Sequence, residues 1–183
     1  LLSFEGASGE LSAAPHYSVT RFSAPNRLEL TLSGVRKIDF DALFKSLLGT
    51  EAVRDAYRMM VLDDSSYGIV IVLNEGWSCE ITEYSDPGAL MLNFIESAPS
   101  GEYEVYYLRS EAMTYTDELG LLCEEYHAEA ATQLRTLSGE YIVTIGQYAT
   151  RAEAEEALAA LNEMHGESGF FVASGAPGDT PEN

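Results

Sequence analysis

The residue types that most often carry out catalysis are scattered along this chain without a recognisable spacing. The three histidines, His16, His127 and His165, are far apart, and none is at metal-ligand spacing from a cysteine. His127 lies on a predicted helix, and His165 lies at a helix end, where a cation offsets the helix dipole. We therefore assign the histidines structural roles and predict no metal site and no cofactor.

The two cysteines, Cys79 and Cys123, each fall on an apolar stripe, where a thiol usually packs as a small hydrophobic residue. Cys123 and His127 are four residues apart on a predicted helix, a spacing at which a thiolate pair could form. Nothing nearby in the sequence would stabilise the thiolate, so burial is the favoured role. Whether the two cysteines form a disulfide stays open at this point.

Carboxylates cluster in three places, at Asp63-Asp64, at Glu124-Glu125 and between Glu153 and Glu156. A pair of carboxylates can hydrolyse a glycosidic bond. Here the first cluster lies in a predicted turn and the others lie on solvent-facing sides of predicted helices. The chain also lacks a phosphate-binding loop and a Gly-x-Ser-x-Gly motif. We predict that the protein is not an enzyme.

The charge of the chain excludes whole classes of partner. The net charge is −20, with −7 on residues 1–98 and −13 on residues 99–183. Nucleic-acid binding needs basic surface that displaces counterions from phosphates, and anionic lipid attracts the same kind of surface. We predict no nucleic-acid partner and no docking on anionic membranes.

Aromatic side chains are abundant, with eleven tyrosines and seven phenylalanines. Flat rings stack on sugar faces, but they also build ordinary cores and protein interfaces. On composition alone, core and interface roles are the more frequent ones.

Residues 139–174 predict a strand, a tight turn, a helix, a loop and a second strand. Tyr141, Val143 and Ile145 alternate with more polar neighbours, as in a half-buried strand. Thr150 to Glu153 forms a capping box, in which the hydroxyl and the carboxylate bind free N–H groups at a helix start. Apolar residues follow at helical spacing, at Ala154, Ala157, Leu158 and Leu161. Both leucines are therefore expected to be buried.

A second copy of this pattern precedes the first at an offset of 38 residues. Tyr103 to Tyr107 (YEVYY) matches Tyr141 to Ile145 (YIVTI), and a helix is predicted from about Thr116 to Ala131. The strand Tyr141–Tyr148 (YIVTIGQY), with the acidic helix start that follows it, resembles the second half of the SPOR (sporulation-related repeat) domain. Residues 101–175 thus resemble a complete SPOR domain.

The resemblance implies an α+β fold, a ferredoxin-like βαββαβ sheet with helices on one face. It also implies that the opposite face binds peptidoglycan glycan strands that have lost their stem peptides. Tyr106 takes the place of a Gln of the family that contacts the glycan, and Leu108 replaces a Gly. Strand parity then puts Tyr106, Ile142 and Thr144 on the free face as glycan-binding residues.

Residues 15–98 predict a mainly β domain with one short helix. Strands are predicted at 17–22, 28–32, 56–62, 67–73, 77–82 and 89–95, and 67–73 is apolar enough to be central. Asp39 to Gly49 is an amphipathic helix that begins at an Asp cap and ends at a Gly. The order of elements is similar to that of the AMIN domain, an envelope-binding β module.

The domain organisation expected from these patterns is a linker at 1–14, an AMIN-like domain at 15–98, a SPOR-like domain at 99–175 and a disordered tail at 176–183. The boundary falls in the Pro/Ser/Gly-rich segment 96–101 (ESAPSG). The Pro/Gly-rich composition of the tail is typical of disorder.

Two functions are compatible with this organisation. The first is a non-catalytic peptidoglycan-binding protein of a bacterial cell envelope, acting in cell division or sporulation. The second is a protein–protein interaction module that uses the same sheet without glycan affinity, with envelope or divisome proteins as partners. In either case the expected location is extracytoplasmic, secreted or anchored through a segment outside this sequence.

Overall fold

The computed structural model describes residues 1–3, 5–6, 9–10, 12–35, 38–98, 101 and 103–183. The chain divides into two compact units. The first consists of Leu1–Arg21 with Asn26–Ser100, and the second of Phe22–Pro25 with Gly101–Asn183.

The described residues of the first unit form three sheets and one helix. Its elements are β1 (Leu2–Ser3), β2 (Glu5–Gly6), β3 (Gly9–Glu10), β4 (His16–Ser23), β5 (Asn26–Ser33), α1 (Phe40–Leu48), β6 (Val53–Met59), β7 (Ser66–Leu73), β8 (Trp77–Tyr84) and β9 (Ala89–Glu96). The sheets have the orders β4-β5-β7-β6, β1-β9-β8 and β2-β3. As predicted, β7 is central in its sheet.

The core of the first unit lies between the four-stranded sheet, α1 and the β8–β9 hairpin. Leu28, Leu30 and Leu32 from one side of β5 pack with apolar residues of β7, with Leu47 of α1 and with Cys79 of β8. The helix begins as the sequence predicts, because the Asp39 side chain accepts a hydrogen bond from Ala42 N at 3.0 Å. The segment 1–14 differs from a simple linker, since Leu2 pairs with Leu90 of β9.

The second unit has the order β10 (Val105–Arg109), α2 (Asp117–Glu125), a 3₁₀ turn (His127–Glu129), β11 (Thr132–Arg135), β12 (Tyr141–Tyr148), α3 (Arg151–His165) and β13 (Phe171–Gly175). The strands form one antiparallel sheet in the order β11-β12-β10-β13. This is the βαββαβ arrangement of a ferredoxin-like fold, and it confirms the predicted α+β class.

The two helices of this sheet start and end differently. Thr150 and Glu153 form the complete capping box at the start of α3. The helix α2 ends at Glu125, earlier than predicted, and Ala130 with φ of 57° closes the 3₁₀ turn that follows it. Leu161 of α3 and Leu119 of α2 are buried, whereas Leu158 is only half-buried, so the expected burial of Leu158 is corrected.

Candidate functional site

The side chains of the second unit divide between two faces of its sheet. We call the side on which α2 and α3 pack the helix face. Gln133 of β11 points to it, because its Nε2 donates a hydrogen bond to Cys123 Sγ of α2 at 3.4 Å. Val143 lies directly opposite Gln133 in the ladder and shares this face. The predicted parity of β12, with Tyr141, Val143 and Ile145 towards the helices, is therefore confirmed.

The opposite side, which we call the strap face, carries a small apolar cluster of its own. Tyr107, Leu134 and Ile142 are buried there and pack with Ala112 and Ala173. Ile142 is 0% exposed, and Thr144, two residues along the same strand, is 4% exposed. The face predicted to be free is thus covered.

Arg109 also belongs to the strap face. It lies two residues after Tyr107 on β10 and pairs with Thr144 on one side and with Phe171 on the other. Its guanidinium carbon is 5.3 Å from the centre of the Phe171 ring, which is a cation–π distance.

Tyr106 lies on the helix face, which corrects its predicted orientation. A register shift separates the pairs Tyr106–Tyr148 and Leu108–Ile145, so two residues of β12, Gly146 and Gln147, lie opposite the single residue Tyr107 of β10. Gly146, with φ of 71°, lies in this bulge. Because Val105, Tyr107 and Leu108 are all buried, both sides of β10 are apolar and alternation could not reveal which side faces the helices.

The surroundings of Tyr106 are acidic. Its hydroxyl donates to Glu104 Oε2 at 2.6 Å, and Ser174 Oγ donates to the other oxygen of the same carboxylate at 2.6 Å. The hydrogen bonds from Ser174 and Tyr106 lower the pKa of Glu104, and the hydrogen bond to Glu104 raises the pKa of Tyr106. An open hollow of about 470 Å³, lined in part by Tyr103 and Asp179, adjoins this group. Such a site disfavours a carboxylate ligand.

The C-terminal segment 176–183, which we call the strap, crosses the strap face. Asp179 N donates to Ala176 O at 3.0 Å in a turn directly after β13. Further along, Leu137 N at the β11–β12 turn donates to Pro181 O at 2.9 Å, and Arg109 Nη1 donates to Glu182 O at 2.7 Å. The segment therefore passes from one edge of the sheet to the other, and the expectation of a disordered tail is corrected.

Arg109 is the functional candidate that the sequence interpretation missed. It is 6% exposed, and its Nε and Nη1 donate to the carbonyl oxygens of Ser110 and Glu182. Within the described part of the chain, Nη2 has no hydrogen-bond partner. One feature of the sequence could have pointed to Arg109, namely the scarcity of basic residues around it. Residues 99–183 contain three arginines and no lysine, against sixteen acidic residues.

Cys79 and Asp63, two further candidates from the sequence, have structural roles. Burial raises the pKa of the Cys79 thiol to about 11, and neither cysteine is in a disulfide. Asp63 accepts hydrogen bonds from Ser65 and Ser66 within its turn, which lower its pKa. The described residues hold no group of His, Cys, Asp and Glu arranged for a metal, and no helix among them is long and apolar enough to cross a bilayer.

Comparison with known families identifies this sheet. Residues 109–173 match the family model of the SPOR domain. The second unit contains a SPOR domain. The match is shorter than the expected 101–175 and begins at Arg109, the last residue of β10. No curated protein matches the chain significantly. SPOR domains bind peptidoglycan and occur in envelope-associated proteins, so the domain is of a peptidoglycan-binding type.

Proposed function

We propose that this protein is a non-catalytic binder of peptidoglycan glycan strands in a bacterial cell envelope, acting in cell division or sporulation. The observation that carries the proposal is the match of residues 109–173 to the SPOR domain, within a unit whose strands and helices have the order βαββαβ. The strap face, with Ile142 and Thr144, is the proposed ligand face. Tyr106 is left out of the proposed site because it lies on the helix face with Ser174 and Glu104.

The negative charges of the ligand and of the domain should make this binding depend on salt. Glycan strands without stem peptides carry free lactyl carboxylates on their muramic acid units, and residues 99–183 carry a net charge of −13. Salt screens repulsion between exposed charges over about 10 Å at 0.1 M. We therefore expect binding to be weak at low ionic strength and to improve as salt rises, which is the opposite of a basic binder.

The test is a pull-down of the full chain on purified sacculi, with and without amidase treatment to remove stem peptides, over a salt series. The proposal predicts retention on treated sacculi, increasing with salt. Tyr106→Ala serves as a control outside the proposed face and should bind like the wild type. No retention at any salt concentration would overturn the proposal.

A protein partner that binds the same sheet, without glycan affinity, is the second candidate. The strap and the helices leave little of either face of the sheet exposed, so such a partner would have to displace the strap. Failure to bind sacculi, together with capture of envelope or divisome proteins that survives glycan digestion, would support this candidate.

We also propose that residues 15–98 and 99–175 are separate domains of this envelope protein, the first resembling the AMIN domain. The support is the Pro/Ser/Gly-rich segment 96–101 between two self-contained sequence patterns. A fragment of residues 99–183 should then unfold in one cooperative thermal transition. A fragment that unfolds without a cooperative transition would contradict this division.

A further inference from the structure

The strap lies on the strap face without large apolar side chains of its own. Its sequence, APGDTPEN, contains no large aliphatic or aromatic side chain, and only Pro177 and Pro181 are buried. Its hydrogen bonds to the rest of the sheet include those to Glu182 O and Pro181 O and a side-chain bond from Asn183 Nδ2 to Glu140 Oε2 at 2.6 Å. Each such bond contributes only about 1 kcal/mol net, since water replaces it when the segment leaves.

The strap covers a buried cation that lacks an anionic partner. The hydrogen bonds of the Arg109 guanidinium go to carbonyl oxygens, and no ion pair with a described carboxylate is formed. A buried charge is costly unless it is paired and hydrogen-bonded. A carboxylate that binds two N–H groups of the guanidinium at once is a stronger partner than one carbonyl oxygen.

We propose that residues 176–183 are a displaceable strap, and that Arg109 binds a ligand carboxylate when the strap leaves the face. This inference rests on the proposed function and adds to it both a ligand contact and a reason for its masking. Glu182 O occupies the Nη1 donor in the closed state, so the ligand carboxylate and the strap compete for the same group.

The chemistry of Arg109 also selects the ligand. In intact peptidoglycan the lactyl carboxyl of muramic acid is bound to the stem peptide as an amide and carries no charge. Removal of the peptide exposes a carboxylate, the group that a guanidinium binds best. The ring of Phe171, next to the guanidinium, is 38% exposed and is placed to contact the sugar. Arg109 would therefore favour stripped strands over intact ones.

The proposal that the strap is displaceable is tested by removing the strap and by fixing its first turn, residues 176–179. Deletion of residues 176–183 should strengthen binding to amidase-treated sacculi by about tenfold, as expected if the open state is about a tenth of the population. A Cβ built on Gly175 lies 3.8 Å from Asp179 Cβ, the usual separation in a disulfide. The double variant Gly175→Cys with Asp179→Cys should therefore bind less tightly when oxidised than when reduced.

The controls separate these effects from damage to the fold. Each single cysteine variant should bind equally with and without reductant, and thermal unfolding shows whether the deletion variant still folds. If it does not, the oxidised and reduced forms of the double variant decide the question. Equal binding by the wild type, the deletion variant and both redox forms would contradict the proposal that the strap masks the ligand face.

The proposed contact between Arg109 and a ligand carboxylate is tested with Arg109→Gln and Arg109→Lys, each made in the variant that lacks residues 176–183. Loss of a hydrogen bond to a charged group should weaken binding to treated sacculi by about 10- to 100-fold for Gln, with a smaller loss for Lys. Chitin oligosaccharides, which lack the lactyl carboxylate, are the matched probe, and their binding should not change. If affinity for treated sacculi and affinity for chitin oligosaccharides fell equally, Arg109 would have only a structural role, and the proposed contact with the carboxylate would be wrong.

The pattern of results also separates this inference from the proposed function. If the wild type binds treated sacculi but the strap and Arg109 variants behave like it, only the inference fails. If neither the wild type, the deletion variant nor the reduced double variant binds sacculi, the proposed function fails and the inference falls with it.

Discussion

The two βα halves of the SPOR domain are built on one plan but are determined by different kinds of signal. In the half formed by β12 and α3, a complete capping box starts a helix of 15 residues. In the half formed by β10 and α2, Thr116 makes no side-chain capping bond, and the helix has 9 residues before a 3₁₀ turn. The second half is specified locally by its sequence, whereas the first depends on packing against the sheet.

The largest expected effect tests whether α2 and α3 nonetheless contribute equally to the stability of the core. Leu119 of α2 is 0% exposed and Leu161 of α3 is 2% exposed. Truncation of either leucine to Ala should lower the free energy of unfolding by about 2–5 kcal/mol, as cavities in cores do. Leu158→Ala, at a half-buried position, is the matched control and should cost clearly less. Denaturant unfolding measures all three.

A loss at Leu119 below about half of that at Leu161 would show that the shorter helix is loosely packed. The two halves would then differ in core packing as well as in their capping.

The next effect concerns capping directly. Thr150 Oγ1 accepts a hydrogen bond from Glu153 N at 3.3 Å, so Thr150→Ala should destabilise the domain by about 1 kcal/mol. Thr116→Ala removes no capping bond and should change stability by less than about 0.5 kcal/mol. Equal losses at the two positions, measured by thermal and denaturant unfolding, would remove the distinction between the halves.

Local signals were enough to predict most elements of the fold. The Asp39 cap, the capping box at Thr150 and the apolar run of β7 each act within a few residues, and the structure contains all three. The βαββαβ order followed from two such patterns and a resemblance. Features decided by a few residues near one another can be read from the sequence alone.

The candidate site depended on contacts between distant residues and was predicted only in part. The position of Ile142 and Thr144 on the face away from the helices was correct, but their burial and the strap on the same face were not foreseen. Pro and Gly exclude regular secondary structure, yet they leave backbone carbonyls free to accept hydrogen bonds from Arg109 and Leu137. The orientation of Tyr106 depended on a bulge near Gly146 in another strand.

A smaller effect is expected where the first half ends. Ala130 has a left-handed backbone with φ of 57°, which costs an L-residue about 1–2 kcal/mol relative to Gly. Part of that gain is lost because Gly increases the entropy of the unfolded chain, so Ala130→Gly should stabilise by about 0–1 kcal/mol. Ala128→Gly, inside the 3₁₀ turn, lacks the positive φ and should destabilise instead. Stabilisation at Ala128 but not at Ala130 would contradict this account.

The smallest effect is expected from a contact that joins the two halves. His165 Nε2, at the end of α3, is 2.8 Å from Glu129 Oε1 in the turn after α2, and this hydrogen bond lowers the pKa of Glu129 below its ordinary 4.5. A lowered carboxyl pKa contributes stability above the unfolded-state pKa, and the contribution is lost as the pH falls through the folded-state value. His165→Phe keeps a ring beside Tyr126, whose ring centre is 4.9 Å from that of His165, but removes the hydrogen bond. The Tm of the wild type should therefore exceed that of His165→Phe at pH 5, and the difference should shrink as the pH falls to about 3. Glu129→Gln should remove this pH dependence from both proteins, so a difference in Tm that stays constant from pH 5 to 3 would show that the pair does not couple the halves.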